Sequence, residues 1–140
     1  MAPLVIVGFM PKQVTIGARG QAQEKVEPRH TLTSHDKRLP PIYSTPDMIR
    51  LMETAGFRAL QPFCEDGEIT VGTAINVEHR ASCGLGAEVH ATAELESHNG
   101  KFYVLRVTAT SGAREIGRGT ITRAFVRVPR STEEHGKSGI

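Results

Sequence analysis

Between residues 44 and 61 the apolar positions recur at helical spacing, and Ser44-Thr45-Pro46-Asp47 opens that run. A hydroxyl cap, a proline in the first turn and an early acid together predict a helix start there. Pro62 ends the helix, because proline offers no N–H to continue the ladder. Beyond it the pattern changes to four long strand-like segments, 69–80, 87–97, 101–110 and 114–128. They are broken only by Ser82-Cys83-Gly84-Leu85-Gly86, His98-Asn99-Gly100 and Ser111-Gly112-Ala113. Short turns between long strands predict an antiparallel meander. Every segment exceeds the usual strand of roughly 5–6 residues. Strands of that length in a small domain curl, and one helix is present to fill the curl. The predicted fold is α+β, a curved antiparallel sheet wrapped around one central helix.

The ends of the chain are less regular. Residues 1–12 read as an N-terminal appendage, a short apolar stretch ended by Pro11 that suits an edge strand or a frayed terminus. Residues 14–31 mix Val14, Ile16 and Val26 with glycines and charges and read as one irregular strand. A polar loop over 34–41 closes on Pro40-Pro41, and 129–140 reads as a disordered polar tail. The domain proper is expected over residues 13–128.

Two charged residues break the pattern. On a wheel of about 100° per residue, Asp47, Arg50, Thr54, Arg58 and Gln61 gather on one side of the helix. The other side collects Met48, Ile49, Met52, Ala55, Gly56, Phe57, Ala59 and Leu60, with Glu53 as its one charged residue. A carboxylate facing a core needs a partner or must protonate. In the following strand, period two puts Val71, Thr73, Ile75, Val77 and His79 on one mostly apolar face, expected to meet the helix. The odd ionisable group of the strand then points to the side carrying the odd ionisable group of the helix. On periodicity alone the two suit either a buried structural pair or a general base with an orienting partner.

Composition narrows the classes. The chain has 140 residues, 39% hydrophobic, which supplies one core without staples. With 17 Lys+Arg against 15 Asp+Glu, nothing points to a nucleic-acid partner. The longest apolar run, residues 4–10, is far short of a membrane span. Two cysteines, Cys64 and Cys83, are too few for a disulfide framework and fit a reducing compartment. A soluble, cytoplasmic domain is expected. His30, His35, His90 and His98 lack metal-ligand spacing, and no helix follows Gly84 and Gly86 to make a phosphate cradle.

Residues 44–128 resemble the hotdog-fold acyl-CoA thioesterases, in particular the fluoroacetyl-CoA thioesterase group. The likeness rests on Leu51-Met52-Glu53, on the run from Thr70 to His79 (TVGTAINVEH), on Thr92-Ala93-Glu94-Leu95 and on Glu115-Ile116-Gly117-Arg118-Gly119-Thr120. Thr45 precedes Glu53 by eight and His79 follows it by twenty-six, as in that group's threonine–glutamate–histidine set. The resemblance implies thioester hydrolysis of a small or medium acyl-CoA. Glu53 would be general base or nucleophile, His79 a proton shuttle, and Thr45 a positioning hydroxyl. It further implies Gly72 as an oxyanion donor through its N–H, with Arg123 as a weaker substrate contact. No metal or redox cofactor is implied, since coenzyme A belongs to the substrate. Eight helical residues rise about 12 Å, so Thr45 and Glu53 do not touch within one straight helix. Either the first turn bends or two subunits share the site, and such thioesterases generally form dimers with interfacial sites. Thr45 equally suits a plain N-cap. The group's fluoroacetyl selectivity goes with a phenylalanine-bearing lid, whereas Asp36-Lys37-Arg38-Leu39 is charged here, so the acyl group stays open. Two alternatives share the fold: a non-catalytic acyl-CoA binding or sensing module, and a hydratase/dehydratase, whose Asp–His motif is absent here.

Overall fold

The computed structural model describes residues 12–129 and the backbone of Val5–Ile6. The sequence readings of an appendage over 1–12 and a tail over 129–140 otherwise lie outside the described residues. Six strands form one antiparallel sheet: β1 (Val5–Ile6), β2 (Arg19–Lys25), β3 (Glu68–His79), β4 (Glu88–His98), β5 (Tyr103–Ser111) and β6 (Arg114–Arg127). The order across the sheet is β3–β6–β5–β4–β2. Strand β1 pairs with Val126 and Arg127, where β6 projects past its last β5 partner, Arg123 opposite Tyr103. The predicted meander holds for β4, β5 and β6 only. Strand β3 pairs with β6 rather than β4, because the link over residues 80–87 carries the chain across the sheet instead of closing a hairpin. Every strand bound still lies within two residues of its expected place.

Helix α1 (Thr45–Leu60) lies in the concave face of the sheet. Met48, Leu51, Met52, Ala55, Gly56, Ala59 and Leu60 are buried. They share one core with Ala93, Leu95, Leu105, Val107, Ile121 and Phe125 from the strands. Leu51 joins the buried face although the wheel left it out, while Ile49 and Phe57 are only half-buried. Glu53 thus sits on the rim of the buried face, between Ile49 and Phe57 at i±4 spacing, rather than within it. No helix among the described residues is long and apolar enough to cross a membrane.

Two further expectations need correction. Residues 14–31 hold a strand of seven residues, not one long irregular strand, followed by single 3-10 turns at Pro28–His30 and Leu32–Ser34. Pro28 lacks the N–H that would continue a ladder. The His30 side chain also accepts the Glu27 N–H at 3.0 Å, which fixes the turn. The second correction concerns β3. Its register against β6 slips between Gly72 and Ala74, a β-bulge that reverses the in–out alternation. Before the bulge the helix side carries Glu68, Thr70 and Gly72; after it, Val77 and His79. Thr73, expected on the helix side, is exposed and donates to the Thr122 carbonyl at 3.2 Å.

The helix sits unusually close to β2. A Cβ at Gly20 would collide with the main chain of Ala55 and Ala59. Backbone atoms on a packed helix have nowhere to yield, so Gly20→Ala is expected to destabilise the domain by about 1–3 kcal/mol. A wild-type midpoint in a denaturant titration of this variant would contradict that account.

Candidate active site

The sheet and helix build two clusters, one at each end of the inner face of β3. The first begins at the helix start. Ser44, not Thr45, is the N-cap: its Oγ accepts the Asp47 N–H at 3.2 Å. The Thr45 hydroxyl is therefore free of capping duty and lies 2.8 Å from Nδ1 of His79, the last residue of β3. Burial pushes the His79 pKa below its ordinary 6.5, partly opposed by the nearby backbone of Ala81. The imidazole is therefore neutral at pH 7. In the tautomer that lets Thr45 donate to Nδ1, the ring proton sits on Nε2, which is enclosed and has no hydrogen-bond partner. A cavity of about 260 Å³ opens beside this pair, walled by Leu32, Ile42, Tyr43 and Arg80–Ser82.

The second cluster surrounds Glu53. Arg123 Nη1 donates to Glu53 Oε1 at 3.0 Å. The same guanidinium donates through Nε to Thr70 Oγ1 at 2.9 Å and through Nη2 to the Thr70 carbonyl at 2.8 Å. Arg123 is only 5% exposed and also lies over the Phe57 ring at 5.8 Å. Burial pulls its pKa down, against the raising effect of the Glu53 charge. Three hydrogen bonds and a counter-ion are what keep so buried a guanidinium charged. Glu53 Oε2 fills the space that a Cβ on Gly72 would take. The glycine thus lets the carboxylate rest against the strand backbone, at the bulge.

Every site residue suggested by the sequence belongs to one of these clusters, but the pairing differs from that expected. Glu53 is partnered by Arg123, and His79 by Thr45; within one chain the two do not meet. Thr70, which fixes Arg123, was missed because strict alternation assigns it to the outer face and the bulge reverses that assignment. Nothing in periodicity links Arg123 to Glu53, seventy residues away in sequence. Elsewhere, burial raises the Cys64 and Cys83 thiol pKa values, which makes them poor nucleophiles. Among the described residues no group of three or more His, Cys, Asp or Glu is arranged to hold a metal.

Residues 26–128 match the family model of the fluoroacetyl-CoA-specific thioesterase FlK. The fluoroacetyl-CoA thioesterase of Streptantibioticus cattleyicolor is 44% identical over 89 residues, which span 64% of this chain and 64% of that protein. A variant of FlK solved with fluoroacetate and CoA superposes with a TM-score of 0.72 at 37% identity, covering 81% of this chain and 95% of that one. A thioesterase superfamily member from Thermus thermophilus gives a TM-score of 0.71 at 27% identity, over 87% and 89% of the two chains.

The depressed His79 pKa has a direct check. In an NMR titration its ring is expected to protonate with a midpoint below 6.5. Because the unfolded chain then binds the proton more readily, this histidine's contribution to stability is full above the unfolded value and is lost as pH falls towards the folded one. A midpoint at or above the ordinary value would refute the enclosed, neutral ring.

Proposed function

We propose that this chain, which belongs to the fluoroacetyl-CoA-specific thioesterase family and has its hotdog fold, hydrolyses a small or medium acyl-CoA to the free acid and coenzyme A. The observation that carries the proposal is the 2.8 Å contact between the Thr45 hydroxyl and a neutral His79 whose other ring nitrogen has no partner. A proton shuttle needs such a ring, with one nitrogen oriented and the other left without a partner of its own.

The missing group is a carboxylate, and a second copy of the chain supplies it. Among the described residues no strand pairs with the outer edge of β3, and residues 73–76 along it are exposed. Ile75 is 47% exposed although it pairs in register with the buried Ile121. Long, apolar unpaired edges are normally covered. Two β3 strands joined antiparallel about a two-fold axis near Ile75 and Asn76 cover this edge. That pairing runs the Gly72 end of one strand beside the His79 end of the other. Glu53, resting on Gly72, then approaches Nε2 of His79 of the partner subunit.

In the site so assembled, water adds to the thioester carbonyl carbon as Glu53 takes its proton. Alternatively, Glu53 attacks the carbon itself and water releases the acyl group in a second step. The Gly72 N–H receives the oxyanion. The C–S bond then breaks as His79, oriented by Thr45, gives its Nε2 proton to the departing thiolate. The ring regains a proton from the attacking water, by way of Glu53 in the first route and directly in the second. Arg123 holds the Glu53 carboxylate in orientation and is the proposed contact for the acyl end of the substrate. The chemistry written this way uses no metal or redox group, coenzyme A being part of the substrate. We assign it to the cytoplasm, where Cys64 and Cys83, both unpaired, stay reduced.

Thiol release from a panel of acyl-CoAs is expected with the wild type, and Glu53→Gln and His79→Ala should each lower it by about 10². Turnover unaffected by Glu53→Gln would overturn the proposal. Tight acyl-CoA binding with no turnover at all would favour the binding module instead. Mixing tests the shared site independently. Refolded together, the two inactive variants form heterodimers in which one of the two sites is intact, so random pairing restores about a quarter of wild-type activity. Sites confined to one chain would restore none.

A further inference from the structure

A second buried polar network lies just before Thr45, and neither the sequence patterns nor the proposed reaction accounts for it. The Tyr43 side chain is 1% exposed, and its hydroxyl donates to Glu24 Oε2 on β2 at 2.6 Å. Arg50, in the second turn of α1, donates to both oxygens of the same carboxylate at 2.5 and 2.7 Å. His30, 4% exposed, brings Nε2 to 3.8 Å of Glu24 Oε1. Arg50 Nε lies 3.5 Å from Asp47 Oδ1, and Ser44 Oγ donates to Asp47 Oδ2 at 2.5 Å. One carboxylate on β2 thus ties together the segment before the helix, the 3-10 turn and the helix itself.

The backbone closes the same clamp. Tyr43 N–H donates to the Cys83 carbonyl at 2.8 Å and Ser44 N–H to the His30 carbonyl at 2.9 Å. Cys83 is four residues past His79, so Tyr43 is fixed to the chain that leaves the histidine, while its side chain is fixed to β2. The next residue but one is Thr45, 2.8 Å from His79 Nδ1. A buried hydroxyl and carboxylate are costly against apolar packing of the same volume. Apolar contacts, however, are non-directional, whereas hydrogen bonds fix angle and distance. Burial and the adjacent Glu24 charge raise the Tyr43 pKa far out of the physiological range, so its hydroxyl remains a donor.

We infer that Glu24 and Tyr43 are positioning residues for the reaction, setting the Thr45 hydroxyl against His79 through the clamp on residues 42–44. The inference rests on the reading of Thr45 and His79 as part of the site. A small misplacement of a reacting group is enough to slow an enzyme strongly.

Tyr43→Phe removes only the hydroxyl and leaves Glu24 bound to Arg50, itself half exposed and able to resolvate. It should lower kcat about tenfold with KM changed less than about threefold. Glu24→Ala should match it, while Glu24→Gln, which keeps an acceptor for Tyr43, should stay close to wild type. The second readout is the ring-nitrogen NMR signal of His79, which in Tyr43→Phe should move towards its position in Thr45→Ala. Wild-type kcat in Tyr43→Phe would overturn the inference. So would a lowered kcat with the His79 signal unmoved, since the effect would then not pass through Thr45. Should Tyr43→Phe fail to fold, the contrast between Glu24→Ala and Glu24→Gln decides on the same two readouts. Wild-type turnover in Thr45→Ala would instead sink the reading of Thr45 itself, a distinct failure.

Discussion

The seat of the single helix in the sheet governs everything else in this domain. Helix α1 approaches so closely that side chains are missing where it lands: Gly20 faces the main chain of Ala55 and Ala59, Gly117 faces Met48, and Gly72 faces the Glu53 carboxylate. These contacts fix the helix along its axis as well as across it, because they engage its first, middle and last turns. Once the helix is fixed, Thr45 has one possible neighbour at the end of β3, and Glu53 has one possible resting place at the bulge. The chemistry of the two clusters is thus a consequence of packing density rather than of local side-chain choice. A looser seat would leave the same residues present and their distances unset.

Much of this was legible in the sequence, for reasons that differ by element. The helix and the four long strands follow from strong periodicity, bounded by Ser44, Pro62 and short glycine-bearing turns, and these signals are local. Glu53 and His79 were visible because each is the wrong residue type for its face. What periodicity could not carry is the bulge at Thr73, which needs only one extra residue in the ladder and leaves the composition of β3 unchanged. Its effect reaches far: Thr70 and Gly72 turn to the helix, Arg123 finds Thr70, and Glu53 finds Arg123 rather than His79. The clamp on Tyr43 was hidden for another reason. Reading residues 14–31 as a single irregular strand gave Glu24 no face, so a carboxylate reaching Tyr43, nineteen residues away, had no pattern to betray it.

The two clusters also solve an electrostatic problem. Glu53 and His79 in contact within one chain would form an ion pair beside the helix, with the imidazolium stabilised by its neighbour and its proton held more firmly. The arrangement seen here keeps them apart. Arg123 balances the carboxylate, and burial keeps the imidazole neutral. Within one chain the carboxylate therefore has a counter-charge and the imidazole a hydroxyl partner.

That separation bears on the exposed edge of β3. An uncovered strand carrying Ile75 is a hazard for aggregation, and a domain without a use for it would blunt it with charge or proline. Here the run from Thr73 to Val77 holds no charged residue and no proline, and only Glu78 near its end is acidic. Ile75, half exposed, and His79, with an unpartnered ring nitrogen, both lie on this one strand. In the proposed dimer a second β3 covers the isoleucine and, by reversing direction, brings a carboxylate to the histidine. On that proposal, covering the apolar edge and completing the polar site are one event, because the same strand reversal that buries Ile75 runs Gly72 beside His79.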